Sequence, residues 1–173
     1  MGLNTMAQDL VKINHTNYTT TFSKSKKYPV MVEWWLTKSM LTCSTPLERK
    51  DNFKPDPKLI NETNLNKDYA RSGLDRGHMM PAAENLCQTP SIQDECFYFS
   101  NISAQYSSLN RGDWKSVEML ERELSLTQDS IYIWCGNVGV SKKIGKVSVP
   151  KQCWKVIYIQ RTTTYKSFLF END

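Results

Sequence analysis

The tetrapeptide Asp75-Arg76-Gly77-His78 brings a carboxylate, a guanidinium and an imidazole into one short stretch of the sequence. Imidazole titrates near neutral pH, so His78 is a candidate general base, and Arg76 is a candidate donor to a phosphate oxygen. We expect Gly77 to let the backbone turn tightly at this point. By itself the tetrapeptide also fits a hydrogen-bonded structural histidine beside a surface ion pair.

A second group of polar residues lies along a predicted helix later in the chain. Apolar residues recur there at spacings of three, three and four, which predicts an amphipathic helix over about 113–126. On a wheel of about 100° per residue, Asn110, Glu118 and Arg122 border this apolar stripe and face a cleft or solvent. A solvated flank, with Glu118 and Arg122 as an i,i+4 ion pair, is the alternative interpretation. The apolar residues of the stripe are Trp114, Val117, Leu120 and Leu124.

Together with a third segment, these two regions resemble the DNA/RNA non-specific endonucleases of the ββα-metal (His-Me finger) group. Weaker similarity runs from about Lys27 to Phe170, so the resemblance covers nearly the whole chain. Because the motifs occur in a fixed order, a chance match is much rarer than for one short pattern. The motifs are Asp75-Arg-Gly-His-Met-Met-Pro-Ala82, Phe99-Ser-Asn-Ile-Ser-Ala-Gln105 and Leu109-Asn-Arg-Gly-Asp-Trp-Lys-Ser-Val-Glu118, followed by Arg122.

The resemblance implies a role for each polar side chain of the motifs. His78 would be the general base that takes a proton from the attacking water. Asn110 would be the single direct protein ligand of Mg²⁺, or of Mn²⁺ or another divalent ion, which keeps most of its waters. Glu118 would orient one of those waters. The residues that would hold the scissile phosphate and its developing charge are Arg49, Arg76 and Arg122.

The activity implied by the resemblance is metal-dependent hydrolysis of phosphodiester bonds in DNA and RNA, with little sequence preference and 5′-phosphate ends. This chemistry needs an in-line water, neutralised phosphate oxygens and help for the leaving oxygen, and the implied site provides all three. Two alternatives stay open. One is a nucleic-acid-binding module of the same fold that does not cleave, and the other is a nuclease toxin controlled by an inhibitor protein. DNA and RNA are the expected partners, and a homodimer is also conceivable.

The elements that must position these side chains predict an α+β fold. Segments 18–23 and 29–37 are rich in β-branched and aromatic residues, which indicates a hairpin around the lysine-rich turn 24–27. The proline-rich segment 43–66 is predicted to be a long irregular connection, which in a compact domain is usually functional. We expect a mostly antiparallel central sheet with a ββα-metal active-site motif and flanking helices. Further strands are predicted at 97–102, 131–135, 154–160 and 165–170.

Length and composition exclude several classes of protein. The 173 residues, 39% of them hydrophobic, fit one domain spanning 1–173, and the net charge of +4 is compatible with an anionic polymer as partner. No apolar stretch approaches the roughly 20 residues needed to cross a bilayer, and Met1–Lys12 shows no signal peptide. Members of the family usually continue past a strand like 167–170, so the domain is either a minimal form or shortened at its C-terminal end.

The cysteines leave the disulfide pattern open. The sequence has 5 cysteines, which allow at most two internal disulfides and one thiol. We predict Cys87 and Cys96 as the pair, and Cys135 and Cys153 as buried residues of apolar strands. The absence of a CxxC pair, together with only 2 histidines, argues against structural zinc.

Several other residues are expected to have no direct part in catalysis. We expect Asp75 to be structural, and Asn101 and Gln105 to fix the connection between a strand and the following helix. Trp114 is expected in the core rather than as a platform for base stacking. His15 is expected on the surface.

Overall fold

The structure, a computed structural model, describes residues 9–173. Most of Met1–Lys12, the segment examined for a signal peptide, lies outside the described residues. Short 3₁₀ turns occupy Ala82–Asn85, Phe99–Asn101 and Gln160–Thr162. In chain order the strands are β1 (Leu10–Asn14), β2 (Thr19–Ser23), β3 (Tyr28–Thr37), β4 (Asp75–His78), β5 (Ile102–Gln105), β6 (Ser130–Val138), β7 (Lys142–Ile144), β8 (Val147–Val149), β9 (Gln152–Ile159) and β10 (Thr164–Glu171). The helices are α1 (Lys38–Leu41), α2 (Asn66–Tyr69), α3 (Pro90–Glu95), α4 (Ser107–Arg111) and α5 (Asp113–Gln128).

The central sheet has six strands in the order β1-β2-β3-β6-β9-β10, and all neighbouring pairs are antiparallel. The small pairs β4–β5 and β7–β8 are also antiparallel and lie outside this sheet. Residues 24–27 join β2 to β3 as the predicted hairpin turn. The predicted α+β fold with a mostly antiparallel sheet is therefore confirmed. No helix within residues 9–173 is long and apolar enough to cross a membrane.

The predicted strand at 97–102 is wrong. The chain forms a 3₁₀ turn at Phe99–Asn101, and strand β5 begins only at Ile102. The buried amide of Asn101 explains the turn, because its Nδ2 donates to the backbone oxygens of Met80 and Cys96, each at 2.9 Å. Its Oδ1 accepts from the backbone N–H of Met80, also at 2.9 Å. This side chain takes the place of the ladder bonds that a strand would make, and it fixes the connection as expected.

Helix α5 packs against β3, β6 and β9, but its buried stripe differs from the predicted one. Trp114 and Val117 are buried as predicted. Leu124 is only partly buried, whereas Glu121 is completely buried. The reason is a charge in the core: Nζ of Lys155, on β9, lies 2.9 Å from Oε1 of Glu121. Apolar periodicity could not predict that an ion pair occupies the centre of the helix's inner face.

The disulfide differs from the predicted pair. Cys43 is bonded to Cys87, and Cys96 is a buried free thiol. Cys96 faces the core, where Nδ2 of Asn85 donates to its sulfur at 2.9 Å, while the sulfur of Cys87 meets that of the exposed Cys43. The predicted burial of Cys135 and Cys153 is confirmed.

The prediction of a surface position for His15 is also wrong. Its Nε2 lies 3.1 Å from Oδ2 of Asp56, and both side chains are 0% exposed. The ring stacks on Tyr18 with centroids 4.4 Å apart, and Ser100 donates a hydrogen bond to the same oxygen of Asp56. This buried pair therefore ties the β1–β2 connection to the long irregular segment.

Candidate active site

A cleft of about 380 Å³ is lined by residues of the irregular segment, β4, the Ala82–Asn85 turn, α4 and α5. All of the side chains that the resemblance assigns to catalysis lie along it. These are Arg49, Arg76, His78, Asn110, Glu118 and Arg122. Two further cationic residues, which the sequence analysis did not assign, also line the cleft. These are Arg111 and Lys115.

Strand β4 presents Arg76 and His78 from the same face, because side chains two residues apart share a face of a strand. The interpretation of Gly77 as part of a tight turn is wrong, since this residue lies within the strand. A Cβ atom at Gly77 would fall 1.9 Å from Oε1 of Gln105 on the neighbouring strand β5. Glycine is needed here because another side chain packs directly against the backbone.

The imidazole of His78 is enclosed by aromatic rings. Its centroid lies 5.3 Å from that of Phe53 and 4.9 Å from that of Phe97. Nε2 is buried and has no hydrogen-bond partner in the described part of the chain, so Nδ1 is the ring nitrogen available to the cleft. Trp114 donates from Nε1 to the backbone oxygen of His78 at 3.1 Å, which joins β4 to α5. As expected, Trp114 belongs to the core.

Burial also sets the charge of His78. Removal from water lowers the pKa of this imidazole to about 3, and the nearby guanidinium groups of Arg49 and Arg76 contribute to the shift. Without a ligand the side chain is therefore neutral at physiological pH. A neutral imidazole can accept a proton, as a general base must.

Helix α4 brings the amide of Asn110 to the cleft. Nδ2 donates to Oδ2 of Asp75 at 2.9 Å. An ionised carboxylate can only accept hydrogen bonds, so this contact identifies the NH₂ end of the amide and leaves Oδ1 as its free end. No group among residues 9–173 donates a hydrogen bond to that oxygen, which is thus free to bind a cation.

Asp75, expected to be structural, contacts the side chain of Asn110, the candidate metal ligand. It also accepts two hydrogen bonds from Arg111, from Nε and Nη2, each at 2.8 Å. The bonds from Arg111 hold the pKa of Asp75 below its usual value, and the bond from Asn110 adds to this effect. Asp75 therefore stays ionised and orients Asn110, a role that its sequence distance from Asn110 gave no means to predict.

Gly112 separates α4 from α5. A Cβ atom at this position would lie 2.3 Å from the backbone oxygen of Ser108, so only glycine allows the chain to break here. Asn110 consequently belongs to a different helix from Glu118 and Arg122. The sequence analysis had placed all three on one helical wheel.

Helix α5 presents Glu118 and Arg122 to the cleft. Burial raises the pKa of Glu118 to about 7, against the opposing influence of Lys155 and Arg122. Nη1 of Arg122 is buried and lacks a hydrogen-bond partner within the described residues. Over the same residues the two side chains form no salt bridge, so they are not the solvated ion pair of the alternative interpretation. Both remain available to a ligand.

The other two arginines belong to β4 and to the irregular segment. Arg76 lies 4.1 Å from the centroid of Phe53, and its Nη1 donates to Oδ1 of Asn66 at 2.6 Å. Arg49 belongs to the irregular segment, where its Nε donates to Asp51 at 2.9 Å and its side chain is 51% exposed. Guanidinium groups around a neutral imidazole make a site suited to a phosphodiester.

The oxygen atoms of the cleft fit a hydrated Mg²⁺ ion. Oδ1 of Asn110 could bind such an ion directly, with water filling the remaining positions. Within residues 9–173 no three His, Cys, Asp or Glu side chains group as metal ligands. The carboxylate of Glu118 makes no hydrogen bond to the described residues and can receive one from such a water. Hard oxygen ligands with several retained waters are what Mg²⁺ favours.

The sequence matches a known protein family and several curated nucleases. Residues 2–173 match the family model described as DNA/RNA non-specific endonuclease. The chain is 32% identical to the mitochondrial nuclease EXOG of Homo sapiens over 165 residues, which cover 86% of this chain and 44% of EXOG. It is 30% identical to the nuclease of Serratia marcescens over 191 residues, covering 100% of this chain and 69% of that protein.

Similarity extends to a solved structure. A chain in the crystal structure of the EndoG/EndoGI complex, whose subject is EndoG inhibition, superposes with a TM-score of 0.82 and 27% identity. The match covers 94% of this chain and 74% of that chain. This chain spans about half the length of the first curated relatives it matches, at 44% of human EXOG and 52% of a nuclease from Nostoc sp.. Its sequence and fold place it in the DNA/RNA non-specific endonuclease family.

Proposed function

We propose that residues 1–173 form one catalytic domain of a Mg²⁺-dependent endonuclease. It hydrolyses phosphodiester bonds in DNA and RNA with little sequence preference and leaves 5′-phosphate ends. The cleft carries the proposal, because a neutral imidazole, a free amide oxygen, a carboxylate and several guanidinium groups converge there. A module that only bound nucleic acid would need the arginines, but it would gain nothing from His78, Asn110 and Glu118.

The arginines would bind and orient the scissile phosphate. Arg122 has a buried Nη1 without a partner in the described chain, so a phosphate oxygen would satisfy it. Arg76 and Arg49 reach the same cleft from β4 and from the irregular segment. Charge-assisted hydrogen bonds from several directions would stabilise the negative charge that develops on the phosphate oxygens.

His78 would take the proton from the attacking water. A bound phosphodiester places negative charge near Arg49 and Arg76, which offsets their effect on the imidazole. The pKa of His78 then rises from its low value towards the range in which a general base works best. The rings of Phe53 and Phe97 keep competing water away from Nε2.

Asn110 and Glu118 would hold the metal ion. When bound, Mg²⁺ would stabilise charge on the phosphate and on the leaving 3′ oxygen. Oδ1 of Asn110 would be the direct ligand, kept in place by the bond from Nδ2 to Asp75. Glu118 would accept a hydrogen bond from a water of the ion's shell. A single ion suffices because His78 accepts the proton.

Weak sequence preference follows from what these residues touch. Every proposed contact reaches the phosphate, the metal ion or the attacking water. Contacts to phosphate fix position but report no sequence, whereas base edges and the 2′-hydroxyl would report sequence and sugar. Arg111 and Lys115 add positive charge to the lining, so affinity should fall as salt rises. A homodimer and an inhibitor protein stay alternatives, and native mass spectrometry of the protein isolated from its source tests both.

The direct test is digestion of supercoiled plasmid DNA and of a structured RNA with Mg²⁺, with excess EDTA, and with Mg²⁺ restored. We expect both substrates to be degraded without discrete bands in Mg²⁺ and to stay intact in EDTA. The product ends should accept label from a kinase only after phosphatase treatment, as 5′-phosphate ends do.

Each other outcome contradicts a defined part of the proposal. Binding without cleavage would make the protein a nucleic-acid-binding module. Cleavage in EDTA would remove the metal ion from the mechanism. Discrete sequence-specific bands, or intact RNA, would overturn the broad substrate range and leave the site assignment standing.

A further inference from the structure

Lys155 and Glu121 form an ion pair in the core that the proposed chemistry does not use. Both side chains are 0% exposed, and Nζ lies 2.9 and 3.0 Å from the two carboxylate oxygens. Lys155 is in the middle of β9, paired in register with Cys135 of β6 and Phe168 of β10. Glu121 is on the inner face of α5. The pair therefore joins the centre of the sheet to the helix that covers it.

Packing alone does not account for this pair. Two charges removed from water recover their lost hydration only in good geometry, and apolar side chains of similar volume stabilise a core at least as well. Burial by itself lowers the pKa of Lys155, but Glu121 and Glu118 raise it above its usual value, so the lysine stays charged. The charges consequently call for a role other than stability.

The pair connects to two walls of the cleft. On α5, Glu121 lies one turn after Glu118 and directly before Arg122. Nζ of Lys155 also lies 4.4 Å from the ring centroid of Trp114, whose Nε1 donates to the backbone oxygen of His78. One buried cation is thus in contact with the helix that carries Glu118 and with the side chain that ties down the histidine strand.

Lys155 is also linked to a third wall of the cleft, through the indole of Trp34. Nζ of Lys155 lies 5.8 Å from the ring centroid of Trp34, and Trp34 donates from Nε1 to Oε2 of Glu84 at 2.7 Å. Glu84 belongs to the 3₁₀ turn whose Ala82 and Ala83 line the cleft. Three elements that form the cleft are therefore linked to the same ammonium group, α5 directly and the other two through one indole each.

An ion pair fixes the rotation and axial position of a helix, which an apolar contact leaves free. Apolar faces tolerate small rotations and shifts of a helix, because their attraction has no direction. The two hydrogen bonds from Nζ to Glu121 define the rotation and axial position of α5 at one point. Catalytic groups must be held to within about 0.5 Å of their productive geometry.

We propose that the Lys155–Glu121 pair is a positioning unit for the nuclease reaction. It fixes the rotation of α5 so that Glu118 and Arg122 point into the cleft that His78 also lines. The expected effect on kcat rests on the proposed function, whereas the expected effect on structure rests on the packing around Lys155.

The test is the double variant Lys155→Met/Glu121→Leu, which keeps side chains of similar size and removes both charges of the pair together. We expect a melting temperature at or above that of the wild type. We also expect kcat on plasmid DNA to fall at least tenfold while KM stays within threefold, because Arg49 and Arg76 lie outside α5 and still bind the substrate. A loss of packing alone would not separate kcat from KM in this way.

The other fully buried pair, His15–Asp56, offers a matched control, since it lies outside the residues that line the cleft. Asp56→Asn should lower the melting temperature and leave kcat unchanged. If the double variant does not fold, Glu121→Gln replaces it. This substitution keeps the shape and one acceptor for Lys155, and it should lower kcat at least threefold at unchanged KM.

An unchanged kcat in the folded double variant would overturn the proposal, and so would an unchanged kcat in Glu121→Gln where that variant replaces it. An equal fall of kcat in the control Asp56→Asn would overturn it as well.

If the wild-type protein does not cleave nucleic acid, the proposed function is refuted. A crystal structure of the double variant then decides the positioning role. We expect Glu118 and Arg122 to be displaced relative to His78. Unchanged positions would refute the positioning role.

Discussion

The two sides of the cleft are built in different ways. On one side, His78, Asn110 and Glu118 stand on β4, α4 and α5, and each of these elements is tied to its neighbours by buried contacts. On the other side, Arg49 stands on a segment without regular structure, held near its start by the Cys43–Cys87 disulfide. The side chain of Arg49 is half exposed, and its ion pair is with Asp51, two residues away.

The difference matches what each side has to do. Proton transfer and metal ligation depend on distance and direction, so their groups need rigid support. A guanidinium that neutralises a phosphate acts mainly through its charge and tolerates movement. We therefore expect substitutions on the ordered side to act on the chemical step and those on the irregular side to act on binding.

The largest effect is expected for His78→Ala. Loss of a positioned general base lowers kcat by about 10²–10⁴, while circular dichroism and plasmid binding in a gel shift should stay as in the wild type. Rates on plasmid DNA at saturating Mg²⁺ measure the effect. A variant within tenfold of the wild type would show that His78 is not the base.

Asn110→Ala should have the next largest effect, a loss of both rate and metal affinity, because it removes the only proposed direct protein ligand.

Asp75→Asn tests the residue that orients Asn110, since an amide at position 75 no longer dictates which end of the Asn110 side chain faces the ion. We expect a loss of about 10–100-fold in activity or metal affinity for Asp75→Asn. Calorimetric titration with Mn²⁺ measures it, and unchanged affinity in Asn110→Ala would place the ligand elsewhere.

Stability should depend on pH through His78. In the folded chain its pKa is about 3, so between that value and about 6.5 the unfolded chain binds a proton that the folded chain does not. The free energy of unfolding therefore falls as pH drops below about 6.5, by about 2 kcal/mol at pH 5. Urea unfolding at pH 7 and pH 5, without metal, should show a smaller fall for His78→Gln. An equal fall in both proteins would mean that this imidazole is not buried neutral.

Arg49→Ala should have the smallest effect, about fivefold on kcat/KM and mostly through KM, because the exposed guanidinium contributes about 1 kcal/mol. Lys50→Ala is the matched control, since Lys50 is adjacent and also exposed but does not line the cleft. Its kcat/KM should equal that of the wild type. A larger effect on kcat than for Asn110→Ala would reverse the comparison between the two sides.

The ordered motifs made the residues of the cleft predictable from the sequence. Apolar periodicity also predicted the long helix, and β-branched and aromatic composition predicted the hairpin, because both elements depend on residues close together in the chain. Strands β1, β7 and β8 were not predicted, since short segments carry little pattern of their own.

What the sequence could not show depends on partners distant in the chain. The Cys43–Cys87 bond spans a separation of 44 residues, and the burial of His15 depends on Asp56. Glu121 looks like a surface residue until Lys155 is placed opposite it. For the same reason Asp75 could be identified as structural, but not as the residue that orients Asn110.

The central claim is that a single divalent ion binds through Asn110 in the cleft that His78 also lines. Anomalous scattering from a crystal soaked in Mn²⁺ tests it most directly. We predict one peak, about 2.0–2.2 Å from Oδ1 of Asn110, with Glu118 reached only through water. Two peaks about 3.5–4 Å apart, or a peak bound directly by the carboxylate of Asp75, would contradict the account.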